Sequence, residues 1–459
     1  MKKVLSGIAL TILLFTISSF ASVQQQTVRR TAVILFNFQN DTSQPMTVEA
    51  ARSVVFTASN SVAQYYKEVS FDNVLVTAAL RPDGDVFGWV TIPYDSTPPN
   101  CGLHLNEWSA AAETLAEAQG FVRSNYDTII YGMNDGHCSF TGLGYAGHPG
   151  QAWINHYAFF HTSFVAHEVG HTYGRGHAHA LSCYDSTGTR TTLGGTCTSS
   201  DYGNPFSVMG YGQGHMDSYA KNIDYIGSWL APVNIQSVTT AGDYFITPLE
   251  LASGGVQMLR INRGGGSYLY LEYRRSIGFD VNAYTVNYPG PLVYLSDDNL
   301  LDTTPETDSF ADASLAVGKS FTDGTYGITI TTMAVSDAGA SVRVAFNPSA
   351  CNLNAPGLSV TPQTQIGAAG QARTYIFNLS SNNILACGPS SYTVTPSVPA
   401  GWTVSPSSFT ETLSSGELTQ ASFTVTSKAN AKVGNYAISA KASYASGRKL
   451  ASNATYSVR

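Results

Sequence analysis

The chain has 459 residues, enough for two or three domains, with 24 basic against 31 acidic side chains and a net charge of −7. Only 12% of residues are charged and no Lys/Arg cluster occurs, so nucleic-acid binding has no electrostatic footprint. Abundant Gly, Ser, Thr and Tyr point to a β-rich secreted protein.

The N-terminus reads Met1-Lys2-Lys3, then an apolar run from Val4 to Phe20 with small residues at Ser19 and Ala21. That order describes a secretory signal, residues 1–21, cleaved after Ala21 and giving an extracellular protein. The run is short for a span and lacks a stop-transfer flank, and no later stretch reaches about 18 apolar residues. A retained N-terminal anchor is the alternative. Cleavage leaves 22 basic against 31 acidic residues, a charge of −9. Ser22 to Arg30 leaves no room for a folded propeptide.

An apolar strand is expected at Thr31–Phe38, then one amphipathic helix over 47–69, with Val55, Ala58, Val62, Tyr65, Tyr66 and Val69 at helical spacing. Strands follow at 73–80 and 86–92, a helix from Asn106 to Gly120, and a buried strand from Tyr126 to Met133. Gly-rich Thr141–Gly150 leads into a short strand, Gln151–Asn155, and then a helix that Thr162 or Ser163 could cap. Alternating strands and helices fit a mixed α/β domain, residues 31–230, with that helix laid across the sheet. Ser182–Asn204 reads as a polar loop and Met216–Leu230 as a helix ending before Pro232. Two all-β sandwich domains follow, 231–349 and 350–459, the second immunoglobulin- or fibronectin-like after a hinge at Asn352–Gly357.

Six cysteines form three sequence-local couples: Cys101 with Cys138, Cys183 with Cys197, and Cys351 with Cys387. Behind a secretory signal an even count favours disulfides, although sequence alone allows about 15 connectivities.

The chemistry concentrates in His167-Glu168-Val169-Gly170-His171-Thr172-Tyr173-Gly174-Arg175-Gly176-His177. Residues four apart share a helix face, so His167 and His171 can reach one ion. Gly174 can take the left-handed conformation that ends a helix and brings His177 back as third ligand. A fourth tetrahedral position then stays open, the mark of a catalytic rather than a structural zinc. Glu168 is placed to take a proton from water there. His148, His156, His161, His179 and His215 lack a partner at ligand spacing and read as structural or solvated. Asp297, Asp298, Asn299, Asp302, Asp308 and Asp312 could hold Ca2+, but without the ordered spacing of a calcium loop they read first as a solvated loop.

Thirty-two residues beyond His177 comes Ser207-Val208-Met209-Gly210-Tyr211. The long His motif together with this segment resembles the metzincin zinc metallopeptidases, whose Met-turn lies beneath the metal. The resemblance implies that Met209 floors the site without ligating. It also implies one of two roles for Tyr211, an oxyanion donor as in astacins and serralysins or the lining of a specificity pocket. Ala178, after the last ligand, departs from the acidic residue of astacins and adamalysins, the Ser of matrixins and the Pro of serralysins. With Ala32–Phe38, Tyr65–Ser70 and the Trp229 region, the chain is most similar to the gametolysin family and its bacterial members.

By that resemblance the first domain is a metzincin-like catalytic domain that hydrolyses protein or peptide substrates with Zn2+. Such enzymes bind extended peptide along an edge strand, for which Thr141–Ala146 is the candidate. Ser22–Arg30 holds no cysteine or aspartate of the kind that silences many metzincins. The last domain would grip cell-surface glycan or protein, or act as a spacer. The alternative function is a non-catalytic zinc-containing adhesin that works through its sandwich domains.

Overall fold

The computed structural model describes residues 26–459 apart from 97–100, 135–137, 156–159, 224, 265, 283–287, 297, 352 and 445–446. The expected signal segment, His156, Asp297 and Asn352 of the expected hinge lie outside the described residues. Strand outweighs helix along the chain. Among the described residues no helix is long and apolar enough to cross a membrane.

The first unit comprises β1 (Thr27–Phe38), α1 (Val48–Arg52), α2 (Val62–Val69), β2 (Val74–Thr77), β3 (Asp85–Ile92), α3 (Cys101–Ala116), β4 (Thr128–Met133), β5 (Gly142–Tyr145), β6 (Gly150–Asn155) and α4 (Thr162–Thr172). Its sheet runs β2-β1-β4-β6-β5, with β3 also beside β1. All pairings are parallel except β5 with β6, which leaves β5 as an antiparallel edge. From Thr31 onward β1 is buried at every position, as a central strand covered on both faces must be. Val33 and Leu35 face α2 and α4, whereas Ala32, Ile34, Phe36 and Phe38 face α3. The helix–sheet–helix layering arises from that alternation.

The single helix expected over 47–69 is two. α1 runs into a π-helical turn at Ser53–Thr57, the chain breaks at Ala58, and Ser61 restarts it by accepting from Gln64 N at 3.3 Å. Ser53, Thr57, Ser59, Asn60 and Ser61 compete with helical hydrogen bonding, and the apolar periodicity on either side hides the interruption. Neither Thr162 nor Ser163 caps α4: His161 occupies the cap position, without a side-chain cap bond. The helix expected over Met216–Leu230 shortens to one turn, α5 (Ser218–Lys221), capped by Asp217.

The segment read as a polar loop carries the end of β7 (His179–Tyr184) and all of β8 (Arg190–Thr191) and β9 (Thr196–Ser200). They join β10 (Ile235–Val238), β12 (Met258–Gly264), β13 (Ser267–Glu272), β14 (Leu292–Leu295) and β15 (Asn299–Leu301) in one eight-stranded sheet. A four-stranded sheet of β11 (Gly242–Ile246), β16 (Ser320–Asp323), β17 (Ile328–Ser336) and β18 (Gly339–Phe346) packs on it through a shared core that includes Leu181, Leu259, Leu271, Ile330 and Val342. The expected boundary at 230 is therefore crossed: β7 pairs in parallel with β15, His179 opposite Asn299. Ala180, Phe206 and Leu230 share a further core with Met258, Tyr294 and Leu300. The last domain, from Gly357, is a sandwich of a four-stranded and a five-stranded sheet around Tyr375, Phe377, Phe423, Ile438 and Tyr456. All three expected disulfides are formed.

Because two hydrophobic clusters span the residue-230 boundary, a chain ending there would expose part of each. Calorimetry should show no cooperative melt for a chain ending at residue 230 and a cooperative one for a chain ending at 350. Equal melts for the two would contradict the shared core.

Candidate metal centre

α4 is buried from Val165 to Gly170, and its sequence places His167 and His171 one turn apart on the cleft side. Its end is a left-handed turn: Gly174 has φ +76°, its N–H donates to His171 O at 3.0 Å, and Arg175 N–H donates to Gly170 O at 3.0 Å. These two bonds use carbonyls the helix end would otherwise orphan. The turn delivers His177 to the same point. Nε2 of His171 lies 3.2 Å from Nε2 of His167 and 3.1 Å from Nε2 of His177.

Each ring is oriented through its other nitrogen. Nδ1 of His167 donates to Val208 O at 2.7 Å and Nδ1 of His171 to Arg175 O at 2.8 Å. Nδ1 of His177 donates to Asp201 Oδ1 at 2.8 Å. All three partners only accept, so the protons sit on Nδ1 and three Nε2 lone pairs converge. Lone pairs this close cannot hydrogen-bond to one another, but they suit a shared cation. Zinc–nitrogen bonds of about 2.0–2.1 Å at tetrahedral angles would separate the nitrogens by about 3.3 Å. Among the described residues this is the one group of three or more His, Cys, Asp or Glu that could hold an ion. Burial pushes His167 down to about 4 and lowers His171, which keeps both rings neutral and able to ligate.

Glu168 lines the same cleft, of about 490 Å³, with Phe140, Leu143, Phe164 and Tyr211. Burial pushes its carboxyl up to about 8; a neighbouring cation would oppose that shift. The edge strand β5 lies against α4 so closely that a Cβ at Gly142 would overlap the Glu168 carboxylate, and one at Gly144 the Glu168 carbonyl oxygen. Only glycine permits that approach.

Met209 is fully buried, and its Sδ lies 2.6 Å from where a Cβ on Gly170 would stand, so it packs against α4 between the two helical histidines in sequence. Its turn is tight: Gly210 N–H donates to Ser207 O at 2.9 Å, and Ala178 N–H to Met209 O at 2.9 Å. Tyr211 projects from that turn, half exposed at the cleft wall, with its phenol raised by burial. A second tyrosine, marked by no motif in the sequence, lies closer to the rings. Tyr202 sits 3.8 Å from the His177 ring and stacks at 5.6 Å on His167, from a left-handed backbone with φ +59°. Asp201 is equally unmarked: both residues lie just past the Cys183–Cys197 pair, in the segment whose composition reads as loop.

Among the described residues, the carboxylates of the expected calcium stretch form no group of three that could hold an ion. Asp302 and Asp308 pair with Arg190 at 2.9 and 3.4 Å, and Asp312 receives Thr307 Oγ1 at 3.2 Å. Asp298 is buried, where desolvation and then the neighbouring Asp217 push its carboxyl up. His179 lies 3.3 Å from Asp201, and His215 donates to Glu68 Oε1 at 2.8 Å, both structural roles.

Residues 366–445 match the NPCBM-associated, NEW3 domain of alpha-galactosidase, a match confined to the last sandwich. Among solved structures, the chain is similar to a family 123 glycoside hydrolase from Clostridium perfringens described for glycolipid glycan hydrolysis, at 13% identity over 23% of this chain and 27% of that one, TM-score 0.18. The chain thus spans about a quarter of that hydrolase. It is also similar to PapD-like domain 7 of human CEP192, at 12% identity over 22% and 84%, TM-score 0.16. A third is OgpA from Akkermansia muciniphila, at 10% identity over 94% and 93%, TM-score 0.29. Likeness at these scores carries no argument about activity. No curated protein matches the sequence.

The glycine contacts give a direct check on the β5–α4 approach. Gly144→Ala should cost about 1–3 kcal/mol in denaturant unfolding, because the strand must move off the helix. Gly176→Ala, with no atom within 4 Å of its added Cβ, should be near neutral. Equal stability of the two variants would contradict the packing described.

Proposed function

We propose that the chain is a secreted zinc-dependent endopeptidase of metzincin type, gametolysin-like in its catalytic unit. The observation that carries this reading is the convergence of three Nε2 lone pairs beside the buried Glu168, in a cleft bordered by a glycine-edged strand. Three disulfides support an oxidising, extracellular setting.

His167, His171 and His177 would hold Zn2+, which when bound polarises the scissile carbonyl and acidifies water. Glu168 takes the proton from the attacking water and returns it to the leaving amine, the work of a general base that becomes a general acid. Glu168 is itself buried, so its charge acts at low effective dielectric. β5 offers its unpaired edge to an extended peptide, and Gly142 and Gly144 allow the substrate backbone to lie near Glu168. Tyr211, which lines the cleft, donates to the developing oxyanion or lines the pocket for a substrate side chain. Met209, packed against Gly170 of α4, would make no contact with substrate.

The alternative, a non-catalytic zinc-containing adhesin, draws on the NEW3 match of the last sandwich, which favours a glycan-bearing surface as that domain's ligand. The two readings are compatible for the last domain and divide on Glu168, a residue that an inert metal site would not need.

Purified protein should hydrolyse casein or gelatin, lose activity to a chelator and regain it with zinc. Glu168→Gln should lower turnover by about 10²–10⁴-fold while the protein still binds zinc. If wild type and Glu168→Gln are equally inert on a broad peptide library while both bind zinc, the adhesin reading replaces this one.

A further inference from the structure

His177 differs from the other two imidazoles in what orients it. His167 and His171 ride on α4 and donate to main-chain carbonyls, acceptors that no side-chain substitution removes. His177 lies beyond the helix, in an irregular segment, and its Nδ1 meets a side chain, Asp201 Oδ1. That oxygen also accepts from Tyr202 N–H at 3.2 Å and lies 3.3 Å from His179 Nε2, so its place is defined from three directions.

Asp201 directly follows β9, and β9 is held on β7 by the Ala180–Ser200 to Tyr184–Thr196 ladder and by the Cys183–Cys197 disulfide. β7 is in turn a strand of the middle sheet, paired with β15, and His179 N–H donates to Asp298 O at 3.1 Å. Ser199 Oγ lies 2.6 Å from Asn299 Oδ1, a side-chain link from β9 to β15. On its other side the His177 ring is covered by Tyr202.

Resting on the reading of His167, His171 and His177 as ligands, we infer that Asp201 is a positioning residue of the metal centre. Its carboxylate, fixed by the β15–β7–β9 ladder, locks the His177 tautomer and aims Nε2 at the ion. The middle β unit is thereby part of the site's architecture rather than an appendage behind it. A carboxylate behind a ligating imidazole orients the ring and raises its basicity, and removing such a partner typically costs about 10–100-fold in metal affinity. The Asp201 side chain is 58% exposed, so water weakens the bond and the lower end, about tenfold, is expected.

The test is zinc affinity of the full chain, by competition with a chromophoric chelator, together with the visible spectrum of the cobalt-loaded protein. Asp201→Ala should raise Kd for zinc about tenfold and alter the cobalt bands, with the metal-free melting curve unchanged. Asp201→Asn, which keeps an acceptor oxygen, should recover part of the loss. Zinc affinity and cobalt spectrum of Asp201→Ala equal to wild type would overturn the inference and leave the peptidase reading standing. A wild-type protein that takes up no zinc would overturn both.

Discussion

Three imidazole nitrogens with lone pairs facing inward, His171 Nε2 standing 3.2 Å from that of His167 and 3.1 Å from that of His177, are the constraint on which the first two units depend. Such an arrangement repels itself until a cation enters, so the surrounding structure must impose it. It does so from three directions: the turn carrying Met209 through Val208 O, the end of α4 through Arg175 O, and the β9 terminus through Asp201. Each is anchored in a different part of the fold. Arg175 itself is buried, stacked over Trp229 at 4.3 Å and donating to Ile223 O at 2.6 Å. Tyr66 O–H reaches Ala166 O at 2.5 Å and joins α2 to the histidine helix.

The other requirement is a close approach of backbone to helix. β5 lies at the sheet edge with glycine at both positions that face Glu168, so the cleft is walled by main chain and its hydrogen-bonding edge stays near the carboxylate. The Glu168 carboxyl is raised by burial. The proposed peptide-bond hydrolysis would draw on a base with little solvation, a site for a cation and a strand edge.

The local parts of this site are legible in the sequence because they rest on short-range rules. The i, i+4 spacing of His167 and His171 and the helix-ending Gly174 need no tertiary information. The run Ala32–Phe38 likewise announces a strand buried on both faces. The illegible parts depend on partners far along the chain. β9 is polar and becomes a strand by pairing with β7, which itself pairs with β15 about 100 residues away, so the composition of the segment alone reads as loop. Asp201 and Tyr202 acquire their places from that pairing, and nothing local distinguishes them from the other polar residues of the segment. The break at residues 58–61 and the shortening of the helix after Met216 are hidden for a related reason: apolar periodicity survives an interruption that hydrogen-bond competition creates.

The central claim is that one cation sits on three imidazoles with a position left open. X-ray absorption at the zinc edge of the purified full chain reads this directly. One zinc per chain is expected, with three nitrogen neighbours at about 2.0–2.1 Å and one light atom that exchanges with solvent. A zinc-free protein, or a closed shell of four protein ligands, would contradict it.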